Sequence, residues 1–295
     1  MTRLNIQEHV IPESGTGPYS ITSGPDGALW FTEIAAGRIG RLSVGGEFAF
    51  FPLPARDSRP AIITTGPDGA LWFTLNQGHQ LGRLTTSGEV SLFPLPTPGA
   101  GPFGLASGPD GALWFTGMNA NQIGRMTPRG EVREYPLPTP GAFPSMIAPG
   151  PDGALWFTQN QANSIGRITV EGTLTWYPLP TVGAGPVGIA PGPDGALWFA
   201  EILAGRIGRI ALDGKVTEHT IREGSRPHAI VTGPDGALWF TQWGNNHIGR
   251  LTPAGDYAEF ELPTPNSEPH GIAAGPDGAL WFALERGSIG RLVLK

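Results

Sequence analysis

Apolar residues in this chain come in short runs, each cut off by Gly, Pro or Asp-Gly, and never settle into a sustained 3.6-residue spacing. The stretch 101–138 shows the unit. PFGLAS reads as a β-strand, and the GPDG after it as a turn, because Pro fixes φ and Asp-Gly suits a tight hairpin. ALWFTG is a second strand, dense in aromatic and apolar residues, and MNANQ is a polar hairpin loop. IGRMT is a third strand, PRG turns, and EVREYPLP is a fourth, ended by prolines that cannot continue a ladder.

This unit repeats. GPDGALWF begins at Gly24, Gly66, Gly108, Gly150, Gly192, Gly233 and Gly275, and its tryptophans are Trp30, Trp72, Trp114, Trp156, Trp198, Trp239 and Trp281. The period is 42 residues, with one step of 41. Four short strands per repeat of this length predict an all-β, seven-bladed β-propeller forming a single domain over residues 1–295. The blade cores fall at about 17–54, 59–96, 101–138, 143–180, 185–222, 226–263 and 268–294. The last repeat stops at Lys295 after its third strand. LNIQEHVIP (Leu4–Pro12) aligns with VREYPLP (Val132–Pro138) and YAEFELP (Tyr257–Pro263), so residues 4–12 are expected to complete the seventh blade and close the ring.

Composition changes this picture little. The 45 Gly and 31 Pro would suggest disorder in aperiodic sequence, but here they sit at fixed offsets and act as turn punctuation. A formal charge of −6 with no Lys/Arg-rich tract argues against nucleic-acid binding. With no cysteine there is neither a disulfide framework nor a thiolate metal site. The N-terminal stretch has no apolar core of the secretory kind and no run is long enough to span a bilayer, so a cytoplasmic protein without membrane association is expected. A closed ring needs no partner subunit, which points to a monomer.

Residues identical in every copy are read as architecture. The tryptophans are expected to pack between neighbouring blades. The recurring pairs of Arg41, Arg83, Arg125, Arg167, Arg209, Arg250 and Arg291 with Asp26, Asp68, Asp110, Asp152, Asp194, Asp235 and Asp277 are read as a ring of structural ion pairs.

Function is sought where the copies disagree. After the proline that opens each first strand stand Tyr19, Ala61, Phe103, Ser145, Val187, His228 and His270. The three titratable ones lie in blades one, six and seven, which are consecutive once the ring closes. Before that proline stand Gly17, Arg59, Gly101, Phe143, Gly185, Arg226 and Glu268, and only blade seven has a carboxylate there. The end of the second strand faces the same rim. It carries Glu33, Leu75, Gly117, Gln159, Glu201 or Gln242, whereas blade seven reads Ala283-Leu284-Glu285 with a hairpin one residue shorter. That shortening is expected to displace Glu285 relative to its counterparts. Tyr19, His228, Glu268, His270 and Glu285 thus map to one arc. His9, His79, His219 and His247 are read as structural, and Glu33 and Glu201 as hairpin caps.

Two carboxylates on a rim suit a hard cation such as Mg²⁺, and an imidazole beside them can serve as a general base near neutral pH. That set supports proton abstraction next to a carbonyl and equally metal-assisted hydrolysis. With no Cys nucleophile and no G-x-S-x-G elbow, a covalent acyl-enzyme is not expected.

GPYSIT at Gly17–Thr22, RPHAI at Arg226–Ile230, EPHGI at Glu268–Ile272, WFALE at Trp281–Glu285 and the repeated LWFTE…IGR[LI]T…EYPLPTP pattern resemble the virginiamycin B lyase family over essentially the whole chain. The resemblance implies a Mg²⁺-dependent carbon–oxygen lyase. Its substrate would be a cyclic depsipeptide antibiotic of the streptogramin B type, linearised by elimination at the threonyl ester. It implies His270 as general base, Glu268 and Glu285 as metal ligands, and Tyr19 and His228 as substrate-positioning residues, with His228 also assisting proton transfer. Propellers host many functions, so a ligand-binding propeller, or a lyase-like enzyme for another cyclic ester, remains the alternative.

Overall fold

The computed structural model describes residues 5–294. Among them, 28 strands form seven four-stranded antiparallel sheets, and the one helical piece is a 3-10 turn at Arg56–Ser58. The protein is a seven-bladed β-propeller. Within blades one to six the strands follow chain order, and the first strands of neighbouring blades meet one another around the ring. No helix among the described residues is long and apolar enough to cross a membrane.

The seventh blade is completed from the other end of the chain. Asn5–Val10 pairs antiparallel with Ser288–Val293, from Asn5 opposite Val293 to Val10 opposite Ser288. Leu4, counted with this strand from the sequence, lies outside the described residues.

Each second strand is fully buried, and its Trp packs against the next blade, as Trp30 does with Leu71 and Phe73. The third-strand glycine makes room for the second-strand Phe, since a Cβ on Gly40 would lie 2.1 Å from the Phe31 ring. The invariant Asp uses both carboxylate oxygens. In blade one, Trp30 Nε1 donates to Asp26 Oδ1 at 2.9 Å and Arg41 Nε donates to Oδ2 at 2.7 Å. The pattern recurs in the other six blades. Partial burial works against these carboxylates, but the Trp and Arg hydrogen bonds outweigh it and hold all seven below the usual range. A feature repeated seven times in this way is a tie, and no single blade's copy marks a site.

Candidate functional site

Each first strand opens with a bulge. Pro18 faces Glu33 and the regular register resumes only at Ile21 opposite Phe31, and all seven blades show the same shift. Bulges re-aim side chains, and Tyr19, His228 and His270 are the bulge residues of blades one, six and seven. In five blades a second-strand Thr hydroxyl stabilises the neighbouring bulge by donating to its carbonyl, as Thr241 Oγ1 does to His270 O at 2.6 Å. Ala200 and Ala283 replace that Thr in blades five and seven, so the carbonyls of His228 and Tyr19 lack the tie.

The three bulge side chains converge. Ring centroids are 4.6 Å apart for Tyr19 and His270, 4.8 Å for His228 and His270, and 6.0 Å for Tyr19 and His228. Tyr19 and His228 also line an axial cavity of about 150 Å³, whose walls include Ile62, Leu105, Met146 and Ile189. Phe103, the same bulge residue of blade three, packs edge-on to Tyr19 at 6.2 Å, and Trp243, which the sequence comparison did not single out, stands 6.4 Å from His270.

His270 is buried, and its Nε2 lies 2.6 Å from Glu285 Oε2. This hydrogen bond, ahead of the opposing effect of burial, holds the Glu285 carboxyl below its usual range. His270 Nδ1 is enclosed without a protein partner, as is His228 Nδ1. Burial, and then the adjacent His270, push the His228 imidazole down to about 3, so it is neutral at physiological pH. Burial, with the Glu285 charge behind it, likewise raises the Tyr19 phenol and keeps it protonated.

Glu285 is not displaced by the shortened hairpin. Leu284 stands opposite Pro269, the column of Glu33 and Gln242, so Glu285 occupies the column of Ile34, Asn76, Met118, Asn160, Ile202 and Trp243. Its N–H donates to Glu268 O at 3.1 Å, as Ile34 N–H does to Gly17 O at 2.8 Å. The missing residue falls later in the turn. Glu268 has φ +55°, and every residue before the opening proline shares that left-handed conformation. Gly takes it freely in three blades, whereas Arg59, Phe143, Arg226 and Glu268 are strained there. The Glu268 side chain pairs with Arg286 Nη2 at 2.7 Å. It also borders a rim cleft of about 540 Å³ with Arg226, Trp243, Asn245 and Asn266, where the Arg226 guanidinium lies 5.1 Å above the Trp243 ring.

A metal ion would find two carboxylates here. Glu285 engages a protein partner through Oε2 and Glu268 through Oε1, which leaves one oxygen on each, and the Glu285 N–H bond to Glu268 O keeps the two residues side by side. No group of three or more metal-ligating side chains exists among the described residues. The donor set fits an ion that keeps most of its waters, as Mg²⁺ does.

The two hairpin-end glutamates differ in a way their shared sequence hides. Glu33 pairs with Arg38, whose guanidinium also lies 4.1 Å above Phe50. In blade five Glu218 stands where Phe50 does, and it captures Arg206 at 2.8 Å. Glu201 is left fully buried without a cationic or N–H partner, and its carboxyl stands beside that of Glu218. Burial first, and the Glu218 charge second, push its carboxyl up to about 8. The folded chain therefore holds a proton that the unfolded chain releases near 4.5, so stability falls as pH rises from about 4.5 to 8. The full penalty is on the order of 5 kcal/mol. Glu201→Gln is expected to melt well above the parent chain at pH 9 and alongside it near pH 4.5. Parallel melting curves across that range would refute the buried-acid account.

Comparison with known proteins follows the same lines. Residues 4–292 match the model of the Virginiamycin B lyase family. The chain is 44% identical to a virginiamycin B lyase from Staphylococcus aureus, covering 99% of this chain and 100% of that one, with a TM-score of 0.96. It is 43% identical, with the same coverage and TM-score, to a catalytically inactive H270A form of the Staphylococcus aureus enzyme with quinupristin. A virginiamycin B lyase from Saccharopolyspora erythraea is 58% identical over 44 residues, which is 15% of either chain, and one from Bordetella pertussis is 47% identical over 59 residues, 20% of either. These two local matches thus span a fifth or less of the curated relatives' own length.

Proposed function

The chain belongs to the virginiamycin B lyase family, and from that premise we propose that it linearises streptogramin B-type cyclic depsipeptides by elimination at the threonyl ester. The observation that carries this reading is the convergence of Tyr19, His228 and His270, with Glu285 on the His270 imidazole. The quinupristin held by the inactive relative supports the substrate class.

In this reading His270 removes the threonine Cα proton. Its Nδ1 is enclosed, so substrate meets the ring at Nε2; for the step Glu285 gives way there and the neutral ring carries its proton on Nδ1, which leaves the Nε2 lone pair to take the Cα proton. The electron pair left at Cα forms the Cα–Cβ double bond, the Cβ–O bond breaks, and the former ester leaves as a carboxylate. His228, whose basicity is depressed by burial and by the adjacent His270, serves as a hydrogen-bonding group rather than a second base. Tyr19 keeps its phenolic proton to donate. Glu268 and Glu285 would hold Mg²⁺, which supplies positive charge for the developing enolate. The reading takes the closed ring as a working monomer, because its seven blades leave no blade incomplete.

The test is mass spectrometry of a streptogramin B antibiotic incubated with the protein, with Mg²⁺ and with EDTA. A linear product of unchanged mass bearing a dehydrobutyrine, formed only with metal, is expected. A product heavier by one water would mean hydrolysis, and an intact antibiotic would remove the substrate assignment.

A further inference from the structure

The two carboxylates assigned to the metal are already engaged by side chains of the chain itself. His270 meets Glu285, and Arg286 Nη2 bonds Glu268 Oε1 at 2.7 Å. Arg286 is peculiar to blade seven. The same hairpin column holds Ala35, Gln77, Asn119, Gln161, Leu203 and Gly244, none of them charged. The residue sits in the one hairpin that is a position short, and its backbone N–H is directed to Ser267 O at 3.4 Å. Its side chain is two-thirds exposed, whereas that of Glu268 is 29% exposed, so the guanidinium lies over the carboxylate from the solvent side. The carboxylate in turn is held in a strained left-handed conformation that Gly would adopt at no cost.

We propose that Arg286 is a tethered cation that competes with the divalent metal ion for Glu268. The proposal rests on the reading that Glu268 and Glu285 hold such an ion. Without metal, the guanidinium neutralises one of two adjacent carboxylates and limits their repulsion. An ion entering at the remaining oxygen comes to stand beside the guanidinium, so two positive charges compete for one carboxylate. An exposed single-contact pair is weak, so Arg286 tunes metal affinity without blocking the site. Long-range charge is screened at this exposure, so the effect is largest at low ionic strength.

The experiment uses the full chain and Mn²⁺ as a probe, with binding followed by calorimetry or electron paramagnetic resonance. Arg286→Ala is expected to bind Mn²⁺ roughly 3–10-fold tighter than the parent at low salt, and the gap should narrow as salt rises. Arg286→Lys keeps the charge and should stay near the parent. In EDTA, Arg286→Ala should melt at a lower temperature than the parent and then gain more on adding Mg²⁺, because ligand stabilisation grows as Kd falls. Glu268→Gln locates the ion by weakening binding in every background. Unchanged or weaker Mn²⁺ affinity in Arg286→Ala, with Glu268→Gln still impairing binding, overturns the competitor role and leaves the metal site standing. No Mn²⁺ binding by any variant overturns both.

Discussion

Replacing His270 with alanine is expected to lower kcat/KM on a streptogramin B substrate by about 10²–10⁴-fold, the usual contribution of a positioned general base. The loss should fall on kcat. The imidazole is one wall of the site, and Tyr19, His228 and Trp243 remain around it to hold substrate. The fold should survive, because Thr241 secures residue 270 through its backbone carbonyl, which the substitution leaves in place. Glu285→Gln keeps an acceptor for the His270 imidazole but removes a carboxylate of the metal pair, so turnover should fall and part of the loss should be recovered at raised Mg²⁺. Steady-state kinetics beside a thermal melt decide the matter. Turnover that persists undiminished in a folded His270→Ala protein would show that another group takes the proton.

The architecture was legible because one register is repeated seven times. Counting from each opening proline places Tyr19, His228 and His270 in the same bulge of three consecutive blades, and that needs no knowledge of side-chain conformation. Side-chain partners were legible only where the repeat enforces them, as in the Asp–Arg pairs; the Trp indole on the same Asp was not read. Glu33 and Glu201 look alike in sequence, each with Arg five residues on. Their fates diverge because a fourth-strand residue from another column, Phe50 or Glu218, decides where that Arg goes. The hairpin of blade seven misled for a related reason. Its length change is visible in sequence, and the pairing of Leu284 with Pro269 shows that Glu285 precedes it. Aligning from the strand side would have put Glu285 and Trp243 in one column as its only acidic and only aromatic members. Trp243 would then have stood out as a neighbour of His270.

Removing residues 1–12 is expected to lower the melting temperature by at least ~10 °C, a larger loss than any one of its side chains accounts for. The strand Asn5–Val10 contributes at several levels. It supplies six ladder pairs with Ser288–Val293. His9 stacks on Trp281 at 5.4 Å, the place taken in other blades by Phe51, Phe93, Tyr135, Tyr177, His219 and Phe260 on their own tryptophans. Ile11, 3% exposed, belongs to the core that contains Trp281 and Ala283. Glu8 accepts from the Thr264 hydroxyl at 2.5 Å and so joins blade seven to blade six. Losing a buried Ile costs about 2–5 kcal/mol and an aromatic stack about 1 kcal/mol. Together with the ladder, this is a large part of the 5–15 kcal/mol that typically holds a domain folded. The cut would also free the edge Ser288–Val293 for pairing with other chains. Size-exclusion chromatography should therefore show concentration-dependent association that a synthetic peptide of residues 1–12 reverses, restoring the melt. His9→Ala alone should cost only about 1 kcal/mol. A truncated chain that melts like the parent would mean the ring holds without this strand, and that six blades and three strands suffice.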